Sequence, residues 1–456
     1  MAVTTPPATL AEGVCAVLAA ATGTELAGAE VRRLTGGASR EIYAVRATDH
    51  HGHETTAVLR RDPPGRGEAG RMRAEVACLR AAAAAGVPVP EVLASGDTAP
   101  GIDAPYLVMN TVPGESIPRK LQRDPGFAAV RAHLAEDFGY VLGLVHRAPV
   151  NTLTMLDDRD PLDAIEQTYR DLAEPRPAVE IGLRWLRDNR PPDRPVCLVH
   201  GDFRLGNLLI DADGIRGVLD WELAHLGNPI EDLGWLCVRA WRFGAAAPVG
   251  GLGTRDQLLD GYQRATGNRP PAAELHWWEV FGTLKWLVLS RFQAQRHLGG
   301  AEYSLELAAI GRRVCESEYD LLAVLGLLDA VPGDSAPQAP APTVHDRPDL
   351  GEIIDLVTET LTGEIGPALP EDATAQRYLL RICASLLQTG GRELRSGAGP
   401  TDRVHEMLRA LDCPSEAVMA EQLRSGALTV ADPRVRATVN AAVETRLRVS
   451  NPRRLG

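Results

Sequence analysis

Lysine is nearly absent from this chain: two occur, Lys120 and Lys285, against 46 arginines in 456 residues. Work that usually falls to an ammonium must here fall to a guanidinium, a planar fork rather than a point charge. Cysteine is sparse too. Seven are scattered at positions 15, 78, 197, 237, 315, 383 and 413, an odd number with no CxxC pair, which argues against a disulfide framework. Long apolar runs are missing, and no window of about 20 residues stays apolar enough to span a bilayer. The N-terminus has no basic stretch ahead of its apolar residues, and Glu12 interrupts them, so no secretory signal is expected and the chain reads as cytoplasmic. A surplus of positive charge is also lacking. At a formal net charge of −12, neither nucleic acid nor an anionic membrane surface is the expected partner.

What remains is an ordinary globular composition, 45% hydrophobic and 24% charged, long enough for two or three domains. Residues 8–22 have a helical pattern. "EVRRLTGGASREIYAVRATD" reads as two strands joined by a Gly-rich turn, and "ETTAVLRRDPPG" as a third strand stopped by Pro63 and Pro64. "GRMRAEVACLRAAAAAG" is a helix ending at Gly86, and "PVPEVLASGD" and "APYLVMNTVPGESI" add further β structure. From about residue 120 the spacing turns helical, except at 196–224, where short apolar runs alternate with Gly and Asp turns. Residues 331–343, "VPGDSAPQAPAPT", hold four prolines and read as a semi-extended linker; beyond them lies a further helical unit.

The chemistry concentrates in "HGDFRLGN" at 200–207 and "LDWELAH" at 219–225. Phosphoryl transfer needs an oriented hydroxyl, a bridging Mg²⁺ and positive charge about the phosphates. Asp202 can accept the hydroxyl proton. Asn207, five residues on, and Asp220, carried by the hairpin that "LLIDADGIRGVL" encodes, supply hard oxygen ligands for the metal. The protein-kinase catalytic loop has the same Asp-to-Asn spacing. Upstream, the turn "TGGAS", with Gly36, Gly37 and Ser39, offers flexible backbone to cover phosphates. "AVLR" has the form of the kinase V-A-I-K strand, with Arg60 where lysine is expected and Arg61 a second possibility. Met72, Glu75, Val76 and Leu79 share one helix face. The inward carboxylate of Glu75 needs a cation, and Arg60 is the expected partner.

With these segments in hand, the sequence resembles the aminoglycoside phosphotransferase-like kinases. It looks most like the branch related to kinase domains fused to acyl-CoA dehydrogenases, over residues 12–325. The resemblance implies an α+β, two-lobed protein-kinase-like fold: a small β-rich N-lobe at 1–112 and a mainly helical C-lobe at 113–330. A linker at 331–345 and a C-terminal α-helical domain at 346–456 would follow. It implies ATP and Mg²⁺ as cofactors, with Asp202 as catalytic base, Asn207 and Asp220 on the metal, and Arg60 paired with Glu75 at the phosphates. Met109, Asn110 and Thr111 would face adenine. His200 and Asp232 would brace the loop and cap the next helix. The C-terminal unit resembles a small uncharacterised domain appended to kinases of this branch.

The acceptor is a hydroxylated small molecule on this reading. Residues 233–298 carry eight Lys/Arg against four acids, rich in aromatics, which suits an anionic substrate with an apolar part, such as a hydroxyacyl-CoA. Glu222, His225, Arg239, Arg242, Trp278 and Lys285 are the candidate acceptor-site residues. Two alternatives stay open: a non-catalytic nucleotide-binding scaffold partnering an acyl-CoA dehydrogenase, and an antibiotic kinase acting on aminoglycosides or macrolides.

Overall fold

The computed structural model describes residues 8–34, 40–65, 67–329, 347–370 and 372–455. The Gly-rich turn, with Gly36, Gly37 and Ser39, and the expected linker at 331–345 lie outside them. The chain divides into two compact units, Met1–Asp160 with Pro192–Glu279, and Pro161–Pro191 with Val280–Gly456.

The first unit begins with α1 (Ala8–Thr22), β1 (Leu26–Arg33), β2 (Glu41–Asp49), β3 (Glu54–Arg61), α2 (Ala69–Ala84), β4 (Val92–Gly96) and β5 (Tyr106–Asn110). The strands form one antiparallel sheet in the order β1-β2-β3-β5-β4. Strand periodicity divides its residues between two faces. Tyr43, Val45 and Ala47 of β2 and Ala57 and Leu59 of β3 pack with Leu10, Val14 and Leu18 of α1. Each fully buried leucine there contributes about 1.5–3 kcal/mol by leaving water. Ile42, Val58 and Arg60 alternate with these residues and look the other way. Helix α2 buries Met72, Glu75, Val76 and Leu79, as its spacing predicted, and stops at Gly86, whose φ of +83° only glycine adopts cheaply.

Next come the short helices α3 (Pro118–Arg123) and α4 (Ala128–Arg131), then α5 (Leu134–Val145). In the second unit lie α6 (Pro161–Asp171) and α7 (Pro177–Asp188). The chain then returns to the first unit as β6 (Cys197–Val199), β7 (Leu208–Asp211), β8 (Gly214–Val218) and β9 (His225–Gly227), followed by α8 (Ile230–Cys237) and α9 (Arg255–Thr266). The hairpin β7–β8 is the one expected from "LLIDADGIRGVL". The pairing of β9 with β6 was not expected, because three-residue strands carry too little alternation to be read. Helices α5 and α9 meet backbone to backbone. A Cβ on Gly139 would lie 1.9 Å from the Leu258 carbonyl oxygen, and one on Gly261 would lie 1.8 Å from that of Glu136. This close approach brings Tyr262 to His146 at the end of α5, Oη to Nδ1 at 3.1 Å.

The unit boundary falls within α10 (Ala272–Leu298). The second unit continues with α11 (Leu305–Gly311), α12 (Val314–Val324), α13 (Leu350–Thr360), α14 (Gly366–Ala368), α15 (Thr374–Ser396), α16 (Gly399–Arg409), α17 (Glu416–Ser425) and α18 (Pro433–Ser450). One core gathers Ala178 and Ile181 of α7 and Leu322 of α12 with Leu408, Met419, Val435 and Val439. Among the described residues, no helix is long and apolar enough to cross a membrane.

Candidate active site

A cleft of about 470 Å³ opens within the first unit. Ile42, Val58, Arg60, Glu75 and Met109 line it from the sheet and α2; Asn207, Leu209, Leu219, Asp220 and Glu222 line it from the segment after β6. The size is that of a small-ligand pocket. Alternation along β3 settles which arginine faces it. Arg60 does; Arg61 turns to the other face, where it donates to Glu41 Oε2 at 2.8 Å and to the Ile102 carbonyl at 2.9 Å.

A row of alternating charges crosses this wall. Glu75, 2% exposed, accepts from Arg60 through Oε1 and from Arg40 through Oε2. Arg40 also pairs with Asp62, Nε to Oδ1 at 3.0 Å, and Arg60 reaches Asp220 Oδ1 at 3.1 Å. Two guanidiniums on one carboxylate offset the large desolvation cost of burying it. Burial by itself would lower the Arg60 pKa, but the Glu75 and Asp220 carboxylates outweigh it and hold the guanidinium above its ordinary range.

The opposite wall is built on residues 200–207. Gly201 has φ +80°, and a Cβ there would meet the Leu223 carbonyl oxygen at 2.4 Å, so only glycine makes this turn. His200 is fully buried; its Nδ1 accepts from the Asp202 N–H, which leaves Nε2 to donate to the Leu219 carbonyl at 3.0 Å. Asp232 braces the loop, accepting from the backbone N–H groups of His200 (2.8 Å) and Gly201 (2.9 Å) and from His146 Nε2 (3.2 Å). It does not cap α8: Pro229 holds that position, without a side-chain cap, and both oxygens of Asp232 face the loop. Burial pushes its pKa up, but the bond and charge of His146 and the loop amide pull harder and leave it below the ordinary value.

Asp202 Oδ1 accepts from Arg204 Nε at 3.0 Å and Trp235 Nε1 at 3.0 Å, while Oδ2 accepts from Asn207 Nδ2 at 2.7 Å. The amide nitrogen of Asn207 also donates to the Asp202 carbonyl at 2.9 Å, so its oxygen is the atom left for another ligand. Asp220 sits at φ +67°, and its side chain is 34% exposed. Among the described residues no group of three or more His, Cys, Asp or Glu forms a closed metal cage. Two oxygen donors fit a small hard cation that arrives with phosphate and water ligands of its own.

Asn110 and Thr111 line the same cleft, beside Met109; Asn110 Oδ1 accepts from the Glu91 N–H at 2.8 Å. Of the six residues expected at the acceptor, only Glu222 lines it. His225 lies 3.1 Å from Glu231, Nε2 to Oε2. Arg242 donates to the Cys237 carbonyl (2.8 Å) and to Glu279 (3.0 Å), where Arg255 also binds at 2.6 Å. Trp278 is buried edge-on against Trp277 and packs on Gly234. Arg239 is half-buried outside the cleft lining, and Lys285 belongs to the second unit. The cationic surplus of 233–298 is largely paired, since Arg264 and Arg269 also hold acids. Sequence reasoning missed Arg40, Arg204, Trp235 and His146. Position held a signal for two: Arg40 directly follows the Gly-rich turn, and Trp235 shares a helix face with Asp232 at i, i+3.

Comparison with known proteins agrees with this geometry. The model of the phosphotransferase enzyme family matches residues 30–278, and that of a domain of unknown function (DUF6285) matches 370–454. Acyl-CoA dehydrogenase family member 10 of Mus musculus is 31% identical over 246 residues, 50% of this chain and 22% of that protein. Family member 11 of Rattus norvegicus is 31% identical over 196 residues, 39% of this chain and 24% of that protein. The chain thus matches under a quarter of the length of these relatives. A solved structure from Ralstonia eutropha, provisionally called an aminoglycoside phosphotransferase, superposes with a TM-score of 0.53 at 21% identity, covering 66% of this chain and 93% of that one. That likeness is one of fold: a five-stranded N-terminal sheet and a largely helical remainder, kinase-like as the sequence implied. Because the family match spans both walls of the cleft, from Arg40 to Glu222, the chain belongs to the phosphotransferase enzyme family.

Proposed function

We infer that this phosphotransferase moves the terminal phosphoryl group of ATP, with Mg²⁺, to a hydroxyl of a small molecule. The observation that carries the reading is the row Glu75–Arg60–Asp220, which joins the cation of one cleft wall to a carboxylate of the other. When bound, MgATP supplies the phosphoryl group and the divalent charge that screens it. Asp220 and the amide oxygen of Asn207 hold the ion, and Arg60 faces the phosphates. Ile42, Val58, Met109 and Leu219 offer apolar surface to the base. Asp202 takes the proton of the acceptor hydroxyl, its carboxylate oriented by Arg204, Trp235 and Asn207.

For the acceptor we favour an anionic molecule with an apolar part, hydroxyacyl-CoAs being the class to try first. What supports this is the names of the curated relatives, matched over the kinase-like part of this chain.

The test is a coupled assay of ADP release with MgATP and a panel of hydroxyacyl-CoAs, aminoglycosides and macrolides. Turnover with a hydroxyacyl-CoA, lost in Asp202→Ala while nucleotide binding persists, is expected. Nucleotide binding without turnover on any acceptor would instead favour a scaffold that partners an acyl-CoA dehydrogenase.

A further inference from the structure

Gly201, the residue before Asp202, is held from two sides by consecutive carboxylates in the first turn of α8, Glu231 and Asp232. Asp232 takes the Gly201 amide directly, at 2.9 Å. Glu231 reaches the same residue through an intermediary. Its Oε2 lies 3.1 Å from His225 Nε2, and His225 Nδ1 lies 3.0 Å from the Leu223 carbonyl oxygen. That carbonyl packs on Gly201 so closely that a Cβ there would meet it at 2.4 Å. The niche is enclosed: the side chains of Glu231 and His225 are 2% and 17% exposed. A Cβ on Gly227 would lie 3.3 Å from Nε2, so glycine at that position leaves the imidazole its place.

Both ring nitrogens of His225 thus face oxygen acceptors. A carbonyl only accepts, and so does an ionised carboxylate. A neutral imidazole can donate to one of them and must turn a lone pair on the other, whereas an imidazolium donates to both. Hydrogen bonds between charged groups are the stronger ones, so when the ring gives up a proton Glu231 keeps its N–H and the Leu223 bond is lost. The carbonyl then meets a lone pair where it had a donor, and that costs free energy inside a protein. Other titratable groups about the pair include Asp157, held at about 2 chiefly by its bond to Arg159, and Cys197 of β6, whose thiol is pushed up chiefly by burial.

We propose that His225 is a positioning residue: as an imidazolium bridging Glu231 and the Leu223 carbonyl, it holds the 221–225 turn against Gly201 and so fixes Asp202 for phosphoryl transfer. In this role His225 touches neither nucleotide nor acceptor; it acts through the backbone that carries the base. This rests on the reading of Asp202 as that base.

The test measures ADP release from MgATP with a hydroxyacyl-CoA as acceptor, across pH, in wild type, His225→Phe and Glu231→Gln, with MgADP affinity by calorimetry. Phenylalanine keeps a ring over Gly227 and removes both bonds. Near neutrality kcat is expected to fall at least about tenfold in His225→Phe, with MgADP affinity within about threefold of wild type. The gap should narrow toward alkaline pH, because the wild-type ring then loses its second proton and with it the Leu223 bond. A gap constant with pH would make His225 a packing residue only, and would overturn the proposal. So would wild-type kcat in His225→Phe. Should that variant fail to fold by circular dichroism, Glu231→Gln decides. The ring stays in place there, but the charge that favours its second proton is gone, and kcat at neutrality is expected to drop at least about threefold. Unchanged kcat in a folded Glu231→Gln would count against the bridge. An Asp202→Ala protein that releases ADP as fast as wild type would instead sink the reading of Asp202 as the base, and the role of His225 with it.

Discussion

Replacing Asp232 by asparagine tests whether one buried carboxylate holds the 200–207 loop. Asp232 is fully buried and accepts three hydrogen bonds, from the His200 and Gly201 amides and from His146. Asparagine keeps one acceptor oxygen, but its NH₂ must then face at least one of these N–H donors. A hydrogen bond to a charged group is worth about 1.5–3 kcal/mol, and the donor left behind adds a desolvation cost, so a loss of about 2–4 kcal/mol is expected. In a chain of 456 residues that lowers Tm by about 2–4 °C. The pH dependence carries the sharper signature. The carboxyl of Asp232 is held below its ordinary value of 3.8 in the folded protein. Its contribution is therefore fully present above the unfolded value and disappears as pH falls through the folded one. The Tm gap between wild type and Asp232→Asn should be widest near neutrality and close toward acid pH. A gap that is constant with pH, or absent at neutrality, would refute the claim that the ionised carboxylate braces the loop.

In the same loop, Gly201→Ala forces a Cβ to within 2.4 Å of the Leu223 carbonyl oxygen at a left-handed backbone position. At least about 2 kcal/mol should be lost, read as a lower melting temperature together with reduced phosphate transfer. Asp202→Ala should abolish transfer yet change MgADP affinity by less than about threefold, checked by calorimetry, because its oxygens bond protein groups rather than line the cleft. In the second unit, Glu180 accepts from Tyr169, Arg170 and Arg424. Glu180→Ala should cost about 2–3 kcal/mol in urea unfolding, below the 3–5 typical of a fully buried pair, since both arginines keep partial contact with water.

Much of the site was legible in the chain. The order and spacing of Asp202, Asn207 and Asp220 put Asn207 and Asp220 in one cleft wall, with Asp202 hydrogen-bonded to Asn207 outside the lining, and the helical period alone aimed Glu75 inward. Other parts were not. The bracing role of Asp232 depends on His146, 86 residues away and carried by a helix pair that touches at Gly139 and Gly261. The charge balance of the expected acceptor surface was not legible for a related reason: a count of arginines says nothing about the acids that fold against them. Glu279 neutralises Arg242 and Arg255, and Trp278 lies in the core.

By itself, the sequence determined the local matters: where strands alternate, which helix face is apolar, which turns require glycine, and which oxygen-bearing side chains cluster about one loop. These follow from nearest-neighbour sterics and from periods of 2 and 3.6 residues, which are written along the chain. Only the tertiary structure decided which charges neutralise one another. It turned Arg60 to the cleft and Arg61 away, set a second arginine on Glu75, and brought α7 and α12 into one core with helices more than 80 residues further on. Ion pairing and core packing act through space at a few ångströms, and sequence separation does not measure that distance.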